Sequence, residues 1–228
     1  MRFEKHRAMA SAIMLAATWL LAAIPAAGAE RTRHTVTVDG HPVALWEKSA
    51  VDAEEAILLV HGRTWSAVPD FDLQVEGEDL SLMDGLVEQG YAVFAVDLRG
   101  YGATPRDSSG WLTPQRAATD LARVLEWIAA RQEWRKNPHL FGWSMGSTNS
   151  LLLAQQQPEL IASLTLFGYW HDLDEKLPAD DPGAVPQKLP NSAEAAASDF
   201  IMPGSISKKA VDTYVAMALE ADPVKADL

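Results

Sequence analysis

"HLFGWSMGS", residues His139–Ser147, joins a short apolar run to a serine held between two glycines. Ser144 has Gly142 two residues before it and Gly146 two residues after, with Trp143 and Met145 as immediate neighbours. The pattern G-x-S-x-G puts a small hydroxyl where a strand turns sharply into a helix. Glycines on both flanks suit a turn whose backbone is strained and crowded by passing chain. The segment that follows, "STNSLLLAQQQ", reads as a helix that stops before Pro158. Its N-terminus would face the serine, where negative charge develops if Ser144 attacks a carbonyl. The bland alternative is a tight turn before a helix. The apolar strand in front and the helix behind favour the nucleophile.

Working outward, other apolar runs share this layout. "AILLV" (Ala56 to Val60) ends at His61-Gly62, "YAVFAVD" (Tyr91 to Asp97) runs into "LRGYG", and "SLTLF" spans Ser163 to Phe167. Continuous apolar runs suit strands buried on both faces, as in parallel sheets. Upstream, "HTVTVDGHPVALWE" alternates on either side of Asp39-Gly40 and predicts an antiparallel hairpin. Helical spacing places Leu82, Met83, Leu86 and Val87 on one face of "EDLSLMDGLVEQG". In "TPQRAATDLARVLEWIAARQ" it aligns Ala117, Leu121, Val124, Leu125 and Ile128, with Thr113 as cap and Pro114 in the first turn. Strands alternating with helices predict an α/β fold, a mostly parallel twisted sheet with helices on both faces. "LPADDPGAVPQKLP", Leu177 to Pro190, reads as a loop, and "SKKAVDTYVAMALEAD" as a helix beyond it. Together they form a lid-like segment above the sheet.

Composition narrows the chemistry. The chain has 228 residues, 48% of them apolar, enough for one domain with a sizeable core. It has no cysteine, which excludes disulfides, zinc–thiolate sites and thiol nucleophiles. The basic start "MRFEKHR", the apolar run "AMASAIMLAATWLLAAIPA" and the small residues Ala27 and Ala29 predict a signal peptide over 1–29, cleaved after Ala29. An uncleaved membrane anchor is the alternative. Cleavage predicts a secreted or periplasmic protein without stable membrane insertion. The net charge is −12, and a leader carrying Arg2, Lys5 and Arg7 against Glu4 leaves the rest more acidic still. Such a chain is not expected to bind nucleic acid through general electrostatics. No metal or organic cofactor is indicated, and oligomeric state is open.

"LLVHGRTWS", "VDLRGYGATPR" and "GWSMGS", in this order and spacing, resemble the α/β-hydrolase family, most closely its lid-bearing esterase, lipase and serine-aminopeptidase-like branch. The resemblance covers about residues 34 to 228. It implies a core over 30–176, a lid-like segment over 177–228, and an ester or amide of small-molecule size as substrate. It further implies Ser144 as nucleophile, with the backbone N–H groups of Arg63 and Met145 as oxyanion donors. His61 would belong to the turn rather than to catalysis, and Asp97, Arg99, Gly100 and Gly102 would fix a second turn, Arg99 pairing a carboxylate. Trp65, Trp143 and Tyr101 are candidate pocket residues, within a group of aromatics that includes Tyr169 and Trp170. A serine at the elbow speaks against relatives that form alkyl-enzyme esters on an aspartate, such as epoxide hydrolases and dehalogenases.

One feature departs from the family. Its triad runs serine, acid, histidine. The only histidine after Ser144 is His171, in "YWHDLDEK", close behind "SLTLF". The expectation is therefore an N-terminal fragment whose missing part carries the triad acid and histidine, inactive as it stands. Two alternatives remain: a complete enzyme with His171 as base and Asp172 or Asp174 as its partner, and a binding protein that keeps the fold without the chemistry.

Overall fold

The computed structural model describes residues 30–132, 134–169, 189–202 and 204–225. Six strands form one sheet: β1 (Thr32–Val38), β2 (His41–Ser49), β3 (Glu55–Val60), β4 (Tyr91–Val96), β5 (His139–Trp143) and β6 (Leu164–Phe167). Their order is β1-β2-β4-β3-β5-β6. β1 pairs antiparallel with β2, and β2 antiparallel with β4, while β4, β3, β5 and β6 are parallel. The expected hairpin is present. Asp39 (φ 50°) and Gly40 (φ 79°) both take positive φ, as a two-residue turn matched to strand twist requires. Leu58, Leu59 and Val60 of β3 and Val93 to Val96 of β4 are wholly buried, the expected result for strands covered on both faces.

Six helices are described: α1 (Ala67–Phe71), α2 (Leu82–Glu88), α3 (Pro114–Ala129), α4 (Met145–Gln156), α5 (Ala193–Ala197) and α6 (Lys208–Ala221). α3 starts as the sequence indicates, with the Arg116 N–H donating to Thr113 Oγ1 at 3.2 Å, and buries Ala117, Leu121, Val124, Leu125 and Ile128. α2 departs from expectation. It is only 7 residues long; Met83 is buried while Leu82 is 38% exposed. Two turns cannot press so broad an apolar stripe onto one sheet face, and the sheet takes the Met83 side. α1 and α5, 5 residues each, carry too short a pattern to be read in advance.

Strand order places the site. From β3 the chain builds outward to β4 on one side, then returns to β5 on the other. The crevice at such a switch point, beyond the C-terminal strand ends, is where open α/β sheets bind ligands. His61-Gly62 and Ser144 both lie there, with Val60 paired to Gly142 in register.

α5 and α6 pack on this end of the sheet. Ala196, Ala210, Tyr214 and Ala218 form a second core cluster with Trp65, Leu73 and Val75. The leader (1–29), His171, Asp172, Asp174, Trp170 and most of the predicted loop (177–188) lie outside the described residues.

Candidate active site

β5 ends at Trp143 and α4 begins at Met145, so one residue makes the turn. Ser144 takes φ 50° and ψ −117°, a left-handed conformation that costs a residue with a Cβ roughly 1–3 kcal/mol. Its surroundings hold it there. The Ser144 N–H donates to Phe167 O at 2.9 Å. Ser147 Oγ donates to Gly142 O at 2.6 Å and reaches Phe167 O at 3.0 Å, tying the start of α4 to the ends of β5 and β6. The role of Ser147 was not read from sequence. Its only signal is its place directly after the five-residue pattern.

Both glycines have steric reasons. A Cβ on Gly142 would lie 2.5 Å from Gly146 O and 2.7 Å from Ser147 Cα. A Cβ on Gly146 would meet the carbonyl oxygens of Val60 and His61. The elbow is thus pressed against the end of β3. Ser144 itself is exposed.

The loop after β3 approaches from the other side. A Cβ on Gly62 would sit 3.4 Å from Ser144 Cβ and 3.6 Å from the Trp143 ring. Gly62 therefore lies against Ser144, and the chain continues directly into Arg63. Trp143 is held between two glycines, because Gly168 also lies against its ring. Thr64 adopts φ 89°, a rare conformation for a β-branched residue.

His61 is structural in this geometry. Its Nε2 accepts the Leu98 N–H at 3.0 Å, which leaves Nδ1 to carry the proton and donate to Gly62 O at 2.7 Å. Burial pushes the imidazole down to about 4, so it is neutral and both nitrogens are occupied. The other described histidines are also engaged elsewhere: His34 with Glu47, His41 with Pro105 O, His139 with Glu55 and Ser163.

The aromatic candidates separate. Trp143 flanks Ser144. Trp65 is 2% exposed and packs under α6, its Nε1–H donating to Asp199 at 3.0 Å. Tyr101 is 0% exposed, its ring centroid 4.6 Å from that of His61, and burial raises its phenol to about 12. Neither Trp65 nor Tyr101 offers appreciable accessible surface to a ligand here.

The turn after β4 is built around Asp97. Its carboxylate accepts from Ala67 N–H at 3.0 Å, Ala103 N–H at 3.0 Å and Trp46 Nε1–H at 2.9 Å. Burial nonetheless raises it to about 6, although these three donors favour the charged form. Gly102, at φ 49°, has no room for a side chain: a Cβ would lie 2.7 Å from Asp97 Cγ and 2.9 Å from Ser66 Cβ. Arg99 grips Asp120 of α3 through Nε at 2.6 Å and Nη2 at 2.8 Å, with Asp107 at 3.4 Å from Nη1.

Comparison with known proteins agrees with this architecture. The family model described as "alpha/beta hydrolase fold" matches residues 55–201. Among solved structures, a membrane phospholipase A described as a bacterial virulence factor aligns over 84% of this chain and 59% of its own, at 22% identity and TM-score 0.57. The thioesterase domain from the curacin biosynthetic pathway aligns over 86% of this chain and 69% of its own, at 17% identity and TM-score 0.56. A Vigna radiata epoxide hydrolase mutant aligns over 60% of this chain at 22% identity and TM-score 0.49, and this chain spans only 38% of that protein's length. A search of curated proteins returns no significant match. With a family match over more than half its length and the family's strand order around the elbow, this chain belongs to the alpha/beta hydrolase fold family.

Proposed function

We propose that this protein is a serine hydrolase acting by acyl transfer on a small-molecule ester or amide. Ser144 attacks the carbonyl, the backbone N–H groups of Met145 and Arg63 receive the oxyanion, and water releases the acyl group. The observation that carries this reading is the exposed, left-handed Ser144 at the switch-point end of β5, with Gly62 against it. A binding module has no evident need for a serine held in so costly a conformation. Trp143 and Met145 border the substrate in this reading.

A serine hydroxyl needs an adjacent base, and each described histidine has a partner other than Ser144. One reading places the triad acid and histidine beyond Leu228. A second uses His171 with Asp172 or Asp174. It is favoured by Gly168, where a Cβ would lie 3.9 Å from Ser144 N, only three residues before His171.

Fluorophosphonate labelling followed by peptide mapping tests both. Protein that carries a complete triad should label at Ser144, and its Ser144→Ala form should not. Equal labelling of the two proteins removes the nucleophile assignment. If His171 is the base, His171→Ala should slow labelling by about a hundredfold or more. Unchanged labelling of that variant returns the base to the first reading.

Export belongs to the same proposal and rests on the order of basic, apolar and small residues in 1–29. Mass spectrometry of the exported protein should find Glu30 at the N-terminus. An intact Met1 terminus in the membrane fraction overturns it.

A further inference from the structure

The loop that carries Arg63 is held from a distance. Of three successive residues, Trp65 donates its indole N–H to Asp199, Ser66 its backbone N–H to Asp222, and Ala67 its backbone N–H to Asp97. Asp97 directly follows β4, but Asp199 and Asp222 belong to the segment that follows β6. The Ser66–Asp222 contact spans 156 residues of sequence. Asp222 is the C-cap residue of α6 and is 3% exposed. Its carboxylate accepts from Ser66 N–H at 2.8 Å and from Gly102 N–H at 2.6 Å, joining the loop after β3 to the loop after β4. Two residues before Ser66, Thr64 sits at φ 89°. A β-branched residue keeps such a conformation only where its surroundings over-determine it, and two of the three anchors nearby come from the α5–α6 segment.

We propose that Asp222 is a positioning residue for the oxyanion site: docking of α6 sets the course of the 62–66 loop, and so the placement of the Arg63 N–H over Ser144. The inference rests on the serine hydrolase reading for its catalytic meaning, and on the two backbone contacts of Asp222 for its structural meaning. A carboxylate suits the task. It can accept from two converging N–H groups at once, whereas an amide in its place turns an NH₂ toward one of them. Asp222→Asn leaves one of these two N–H groups facing an NH₂ instead of an acceptor, and the loops can relieve this only by moving.

The test separates the structural claim from the catalytic one. Residue-resolved hydrogen exchange is measured in wild type and Asp222→Asn at the amides of Arg63 and Thr64, to which Asp222 makes no described hydrogen bond. Both should exchange about tenfold faster in the variant, while amides of the β1–β2 hairpin are unchanged. In fluorophosphonate labelling of Ser144, the maximal rate should fall about tenfold with the half-saturating probe concentration unchanged, and Asp222→Glu should recover part of the rate. Asp199→Ala, which removes from an exposed position the acceptor of the Trp65 indole N–H, should shift Arg63 and Thr64 exchange in the same direction even if Asp222→Asn does not fold. Unchanged exchange at Arg63 and Thr64 in a folded Asp222→Asn overturns the proposal, as does a uniform rise across the whole protein. Absence of Ser144 labelling in protein that carries a complete triad refutes the serine reading alone, and exchange still decides whether Asp222 holds the loop.

Discussion

Gly146→Ala is expected to lower stability by more than about 3 kcal/mol and to leave little folded protein, a larger loss than an added methyl group normally causes. The new Cβ would meet the carbonyl oxygens of Val60 and His61, and the Val60 carbonyl carbon at 2.8 Å. All three are backbone atoms at the end of a central strand, so no flexible side chain can yield. Relief requires the elbow to lift off β3, which also breaks the seating of Gly142 against Gly146. Gly85→Ala is the control. Gly85 lies in α2, no atom would come within 4 Å of its Cβ, and alanine there should stabilise by about 0.5–1 kcal/mol through helix propensity alone. Urea denaturation followed by circular dichroism distinguishes the two. A Gly146→Ala protein with wild-type midpoint would mean that the close approach of elbow and β3 is wrong.

Arg99→Ala is expected to cost about 3–5 kcal/mol, with no part in the chemistry. Arg99 and Asp120 are both nearly inaccessible, at 5% and 1% exposure, and meet through two parallel hydrogen bonds. Removing the guanidinium strands a carboxylate inside the protein, a penalty larger than the net contribution of the pair. For that reason Arg99→Met combined with Asp120→Leu should lose less than Arg99→Ala alone. Arg99→Lys should fall between wild type and Arg99→Ala, because a point-like ammonium cannot reproduce the planar fork. Chemical denaturation midpoints for the four proteins give the order directly. An Arg99→Ala value within about 1 kcal/mol of wild type would show that the pair contributes far less than buried ion pairs usually do.

Much of the architecture is legible in the sequence. Apolar runs ending in His61-Gly62, Asp97 and Gly142 marked three parallel strands, because only a strand covered on both faces needs no polar alternation. The Asp39-Gly40 turn, the Thr113 cap and the run from Lys208 to Ala221 were local signals, and local signals survive folding. The elbow was legible for the same reason. Its glycines are demanded by contacts inside a five-residue turn and with the one strand beside it. α2 differs in detail, since periodicity shows which residues could share a face and not how much of that face the sheet covers.

What the sequence determined by itself is the set of pieces: an α/β chain of strands and helices, a serine placed for an elbow, and two loops that turn at strand ends. Tertiary structure alone decided which of the conspicuous residues meet. It put Gly62 and Trp143 beside Ser144, and moved Trp65 and Tyr101 into packed layers where neither has appreciable surface. It closed His61 between Leu98 and Gly62. It also gave Asp222, an unremarkable aspartate in "LEADP", to the loop beside Ser144. The physical reason is range. Capping, turn geometry and periodicity act over a few residues and are written in the order of the chain. A buried carboxylate, by contrast, is placed by whichever backbone N–H groups the completed fold leaves facing it, here 156 and 120 residues away.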